Sequence, residues 1–327
     1  MPKRKVEDEL EQLSALRLAA PGEVVIAALR KALRDRVNVI VAKAASIAAE
    51  LNLCALIPDM LTAFDRLFLD PAKNDPQCWG KNALSKALTV LGHSEAATFM
   101  RGLQHVQMEP VWKGQEDTAA VLRGACALAL IQCTDIPVNE MHTQLIDVLA
   151  DRAQTVRLDA ARALAELGTP EAILLLRLKA RLGDADPSVT GEILSFLLRL
   201  EEDHAVPFAG SFLDHVEGEV REEAALALGG SRLPASIVYL RERWASSPGL
   251  AQILIRAFGA SRLDAAVLFL VEIVRTARTR DALAALEALK PHRESSKLWQ
   301  KISAAAGGRR ESEVAAYFTQ HFPKPEN

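Results

Sequence analysis

Apolar residues return along this chain at three- and four-residue intervals, the spacing that lines one face of a helix. The segment Val156–Gly168 is the clearest case. Val156, Ala160, Ala163, Leu164 and Leu167 fall on one side, and Thr155, Asp159, Arg162 and Glu166 on the other. The same grammar returns at Val220–Gly230 and more loosely from Val189, Leu250 and Asp281. Upstream it reappears from Ala42, Asn82 and Val121. These segments end near Asn52, Gly92, Gln132, Gly168, Glu201, Gly229, Ala260 and Lys290, at successive spacings of 40, 40, 36, 33, 28, 31 and 30 residues. Such periods belong to stacked helix pairs. Each period splits at a short break into a first helix, A, and a second, B. No run of alternating Val, Ile and Thr bounded by turn dipeptides appears, so no sheet is expected.

The breaks carry helix-start chemistry. Thr169-Pro170-Glu171 sets a capping hydroxyl before a proline at the first helical position. Asp186-Pro187 and Ser247-Pro248 repeat the device, and Ser261 with Asp264 has the spacing of a capping box. The expected organisation is a charged capping helix within 1–21, eight A/B pairs within 22–290, and capping helices with a tail in 291–327.

The stretch Asp151, Val156-Arg157, Ala160-Ala161, Ala163-Leu164 and Leu167-Gly168 resembles the HEAT-like repeat in its short bacterial form. In that family an acid in the turn precedes a Val-Arg pair opening helix B, and small residues let helices approach closely. Val220-Arg221 with Ala224-Ala225 follows the pattern, while Val189 is followed by Thr190 and the N-terminal repeats lack the Val-Arg pair. The resemblance implies an all-α superhelix, an α-solenoid, with partners bound along its concave side. It does not imply a reaction, because one fold hosts many functions.

Composition agrees with a helical array. Half of the 327 residues are hydrophobic but only 5% are aromatic, so Ala, Leu, Val and Ile must build the core. The start is charged, with Pro2-Lys3-Arg4-Lys5-Val6 similar to a short basic import signal, and it lacks the apolar stretch of a secretory leader. Cys54, Cys78, Cys126 and Cys133 form no C-x-x-C pair and read as small hydrophobes in a reducing compartment. With no run of 18 apolar residues, the expected setting is the cytoplasm.

No phosphate-binding glycine loop, nucleophile elbow or H-E-x-x-H stands in the chain. The seven histidines have no partner at i+3 or i+4. Some HEAT-like enzymes carry paired His-Glu dipeptides for a di-iron site, and this chain has none. The expectation is therefore a non-catalytic scaffold with no cofactor and no metal.

On the B helices, the repeat offsets place Lys43, Ser46 and Glu50, then Lys86, Arg123, Arg162, Glu192, Ser195, Arg199, Glu223 and Arg256 on the open stripe. Mixed signs suit a protein or peptide better than a phosphate backbone. Asp159, Arg162 and Glu166 are also spaced to satisfy each other. Two A-to-B turns are long, Asp70–Gln77 and Gln107–Asp117; each brings a tryptophan, Trp79 and Trp112. The two rings are expected to share one partly exposed patch on the turn edge, since tryptophan is enriched at interface hot spots.

Two rival classes stay open. HEAT-like DNA glycosylases hold damaged nucleotides with Trp, Arg and Asp, and Trp79 lies near Asp75 as Trp112 lies near Glu116 and Asp117. From Arg232 onward, 15 Lys/Arg stand against 9 Asp/Glu, a net of +6, which leaves −9 for residues 1–231, where both tryptophans lie. A duplex binder needs cations near its reading residues, so nucleic acid is the less favoured partner. The other class is an accessory lyase or chaperone of the phycobilisome type, whose members share short HEAT-like repeats. Oligomeric state is left open.

Overall fold

A computed structural model describes residues 3–18, 22–112, 114–309 and 312–324, with side chains from Val6 onward. The basic start Pro2–Lys5 lies outside the described side chains. The chain divides into two compact units, Met1–Leu175 and Leu176–Asn327.

The first unit opens with α1 (Lys3–Ala15), α2 (Glu23–Leu33) and α3 (Asn38–Glu50). Then come α4 (Ile57–Leu67), the single turn α5 (Pro71–Asn74), and α6 (Trp79–Val90). α7 (Ala96–Leu103) leads into strands β1 (Met108–Val111) and β2 (Gly114–Asp117), followed by α8 (Ala120–Leu130). α9 (Val138–Leu149) and α10 (Gln154–Leu167) complete the fourth pair. α11 (Pro170–Leu182) begins in this unit and ends in the next. The second unit continues with α12 (Pro187–Glu201), α13 (Val206–Gly210), α14 (Gly218–Gly230), α15 (Pro234–Ser246) and α16 (Ala251–Ala260). It closes with α17 (Asp264–Thr276), α18 (Thr279–Leu289), α19 (Ser296–Gly307) and α20 (Ser312–His321).

The chain is an all-α solenoid of helix pairs. The B helices pack in succession, α3 on α6, α6 on α8 and α8 on α10 in the first unit, and α12, α14, α16 and α18 in the second. Their buried faces are short side chains. In α10 Val156, Ala160, Ala161, Ala163 and Leu164 are fully buried, and in α3 Ala44, Ala45, Ile47 and Ala48 are. Small residues bring the axes close, which replaces the aromatic bulk this chain lacks. At Gly229 the approach is tightest: an added Cβ would stand 2.1 Å from the Ala257 carbonyl oxygen of α16.

Several expected helix ends form as their chemistry dictates. The Thr169 hydroxyl accepts from Ala172 N at the start of α11, the Asp186 carboxylate accepts from Ser188 N, and Gly168 ends α10 in the left-handed region. Two differ. Ser247-Pro248 opens a short 3-10 turn, Pro248–Leu250, rather than α16 itself. The Ser261 hydroxyl accepts from Leu263 N, two residues on, and α17 starts at Asp264, so the reciprocal box does not form. The expectation of no strand also fails locally, because residues 108–117 make an antiparallel hairpin with Glu109 opposite Glu116 and Val111 opposite Gly114.

Candidate functional site

The two long turns of the first unit are joined by one polar network. Lys81, in the first turn of α6, is fully buried and pairs with the equally buried Asp75 at 3.0 Å. Its ammonium also donates to Gln107 Oε1 (2.8 Å) and the Leu67 carbonyl (3.2 Å). Asp75 accepts from Asn38 Nδ2 and from the Gly80 and Lys81 amides, so it caps α6 while holding α3. Gln107 Nε2 donates to the Asp75 carbonyl and to Glu109. Glu109 also accepts from the Gln77 amide and the Thr118 hydroxyl. Burial would raise the Glu109 carboxyl, but hydrogen bonds from Thr118, Gln107 and Gln77 outweigh it and hold it below the usual range. Burial also pushes the neighbouring Cys78 thiol up to about 12, against the pull of Lys81. That thiol is protonated and inert at neutral pH.

The network continues as a ladder. Arg123 bridges Asp117 of its own turn and Asp151 of the next, each at 2.7 Å, and donates to the His105 carbonyl. Arg157 donates to the Asp151 and Arg152 carbonyls. In the second unit Arg221 donates to the His215 and Val216 carbonyls, and Gln252 to Asp281. The first turn of B thus carries a donor to the turn edge in Asn38, Lys81, Arg123, Arg157, Arg221 and Gln252. The N-terminal repeats, which lack the Val-Arg pair in sequence, fill its role with Gly80-Lys81 and Leu122-Arg123.

This corrects Arg123. It is 5% exposed and belongs to the ladder, not to the open stripe. Arg123 is the fourth residue of α8 as Arg157 is the fourth of α10, and that register belongs to the ladder. Of the carboxylates set beside the tryptophans in the glycosylase-type reading, Asp75 pairs with Lys81 and Asp117 with Arg123.

The other stripe residues stand on the B-helix surface. Lys86, Arg162, Arg199 and Arg256 are exposed and Lys43 is half-buried. Some are satisfied locally, as the sequence spacing allows: Arg162 lies 3.4 Å from Asp159, and Arg256 reaches Glu222 at 2.8 Å. Arg199 lies 5.4 Å from the Phe196 ring centre. The Asp159 carboxylate packs where a Cβ on Gly124 would clash, at 2.2 Å. Burial raises its carboxyl, with Arg162 and Lys86 opposing.

Trp79 and Trp112 have different surroundings. Trp112 stands at the hairpin tip, 96% exposed. Trp79, 54% exposed, edges an open hollow of about 330 Å³ lined by Leu10, Val39, Ala42, Lys43 and Ser46. Trp79 therefore shares its surroundings with the stripe residue Lys43, and Trp112 is not part of that hollow. Across α6 and α8 the same face presents Ala83, Lys86, Val90, Val121 and Ala125. What sequence reasoning missed is that a tryptophan at the first position of a B helix lands on the stripe. The three- and four-residue steps Trp79, Ala83, Lys86 and Val90 carry that signal.

Comparison with known proteins settles the repeat type. Residues 156–178 match the PBS lyase HEAT-like repeat. That segment is a HEAT-like repeat. No curated protein matches the sequence. Among solved structures, the complex of CpcE and CpcF of phycocyanin lyase from Nostoc sp. PCC7120 is 18% identical over 73% of this chain and 94% of that one, with TM-score 0.34. Human deoxyhypusine hydroxylase in complex with glycerol is 19% identical over 79% and 89%, with TM-score 0.29. An engineered protein is 14% identical over 96% and 98%, with TM-score 0.35. The expectation that this HEAT-like chain is not an enzyme is corrected by these findings. The matched repeat bears a lyase's name, and the absence of familiar motifs does not remove catalysis from its possible roles. Among the described residues no group of three or more His, Cys, Asp or Glu is placed to hold a metal, and no helix is long and apolar enough to cross a membrane.

Proposed function

We propose that the B-helix face of the first unit binds a peptide segment of a protein partner, with Trp79 as its apolar anchor. The observation that supports this reading is the half-open Trp79 ring beside a hollow floored by Leu10, Val39 and Ala42, with Lys43 at its rim. An indole offers a large apolar surface at little entropic cost, which is why such rings dominate interface energetics. The small residues of α6 and α8 leave room for an extended chain to lie along the face. Lys43 and Lys86 give the face beside Trp79 a positive character, while on α10 Asp159 is balanced by Arg162. A partner with an aliphatic or aromatic anchor and an acidic flank would complement it.

Peptides selected against the full-length chain from a random display library test this. They are expected to share the apolar-plus-acidic pattern and to lose about tenfold or more in affinity, roughly 1.4 kcal/mol or more, against Trp79→Ala. Binding to Trp112→Ala should be unchanged. Equal binding to the Trp79→Ala chain, with its melting temperature intact, would contradict the reading.

A further inference from the structure

A second hollow lies in the other unit. It has a volume of about 280 Å³ and is lined by the first turns of α17 and α19 and the segments leading into them. Its charged lining is Arg262, Lys297 and Lys301, with His292, against the single carboxylate of Asp264. Val267, Leu268 and Leu298 supply an apolar wall. Arg262, Lys297 and Lys301 are exposed, and among the described residues none of the three has an ion-pair partner. Other cations near a turn are tied down, Lys179 to Asp184, Arg243 to Asp214 and Arg123 to two aspartates. Three permanent cations converging on one small concavity repel each other, and that arrangement is relieved by an anion.

We propose that this hollow binds a small organic phosphate, its phosphoryl group held by Arg262, Lys297 and Lys301 and its apolar part against Val267, Leu268 and Leu298. Arg262 supplies the planar donor fork suited to phosphate oxygens, and the lysines add point charges. The volume admits one phosphoryl group with a small apolar group. A run of nucleotides exceeds about 280 Å³ and would extend along the surface beyond the hollow. Asp264 sits on the rim and disfavours anions with charge spread beyond the phosphoryl group.

Calorimetric titration of the full-length chain with phenyl phosphate, inorganic phosphate and phenol tests both halves of the site. Phenyl phosphate is expected to bind more tightly than inorganic phosphate, and phenol not measurably. Lys297→Glu with Lys301→Glu should weaken phenyl phosphate by about tenfold or more. The milder Lys301→Gln should weaken it less, and Lys73→Glu in the other unit, at an exposed lysine outside either proposed site, should leave it unchanged. The proposal is overturned if phenyl phosphate shows no saturable binding, if inorganic phosphate binds as well, or if the lysine variants bind like the parent. It is equally overturned if a single-stranded oligonucleotide displaces phenyl phosphate and binds with a steep salt dependence, which would make this surface a polynucleotide track.

Discussion

Arg123 and Arg162 look alike in the sequence, each a cation among small residues on a B helix, yet one is buried between two aspartates and the other lies on the surface. The difference is register. Arg157, Arg221 and Lys81 show that the donor in the first turn of B belongs to the turn edge, and only residues further along reach the open face. Glu223 shows the opposite kind of site, a carboxylate on the face with no cation to hold it. Burial, then Glu222, Glu192 and Asp186, raise its carboxyl. A carboxyl whose folded value lies above its unfolded value of about 4.3 is a net cost to the fold when ionised, and the cost fades as pH falls through the folded value. Glu223→Gln is therefore expected to raise the melting temperature at pH 7 and to make no difference below about pH 4. Thermal denaturation of the two chains at both pH values checks this, and a lower melting temperature for the variant at pH 7 would refute it.

At the scale of elements, the helices were legible because their signals are local: apolar spacing, Thr169 and Asp186 at helix starts, Gly168 at a helix end. The hairpin was not. Met108-Glu-Pro-Val carries a proline and a charge in four residues, and Glu109 is gripped by Gln77 from the preceding long turn and by Gln107 and Thr118 at the two ends of the hairpin. The network itself was hidden for the same reason, since Lys81, Asp75 and Gln107 are ordinary surface-type residues until the fold buries them. Likewise nothing local distinguishes Gly229 from Gly230, although α16 leaves no space at the first and open space at the second. Gly229→Ala pushes a methyl group against a backbone carbonyl that cannot swing away, so it is expected to destabilise by about 1–3 kcal/mol. Gly230→Ala should be neutral or stabilising by up to about 1 kcal/mol. Urea denaturation of the two variants separates them, and equal stabilities would show that the α14–α16 approach is looser than described here.

For the molecule as a whole, formal charge changes along the sequence, from −9 over residues 1–231 to +6 beyond. One proposed site lies in each unit: an apolar anchor with two lysines in the first, and a cation-lined hollow in the second. The claim on which the account turns is that partners meet the B-helix face and not the turn edge. Photo-crosslinking tests it most directly. A benzophenone amino acid is placed at Lys43, at Lys86 or at Trp112 in the full-length chain, and the chain is irradiated in cells of its native host. The account predicts that one protein is joined through positions 43 and 86 and is lost when Trp79 is changed to Ala. Crosslinks formed only through position 112, indifferent to Trp79, would place the contact on the hairpin and contradict it.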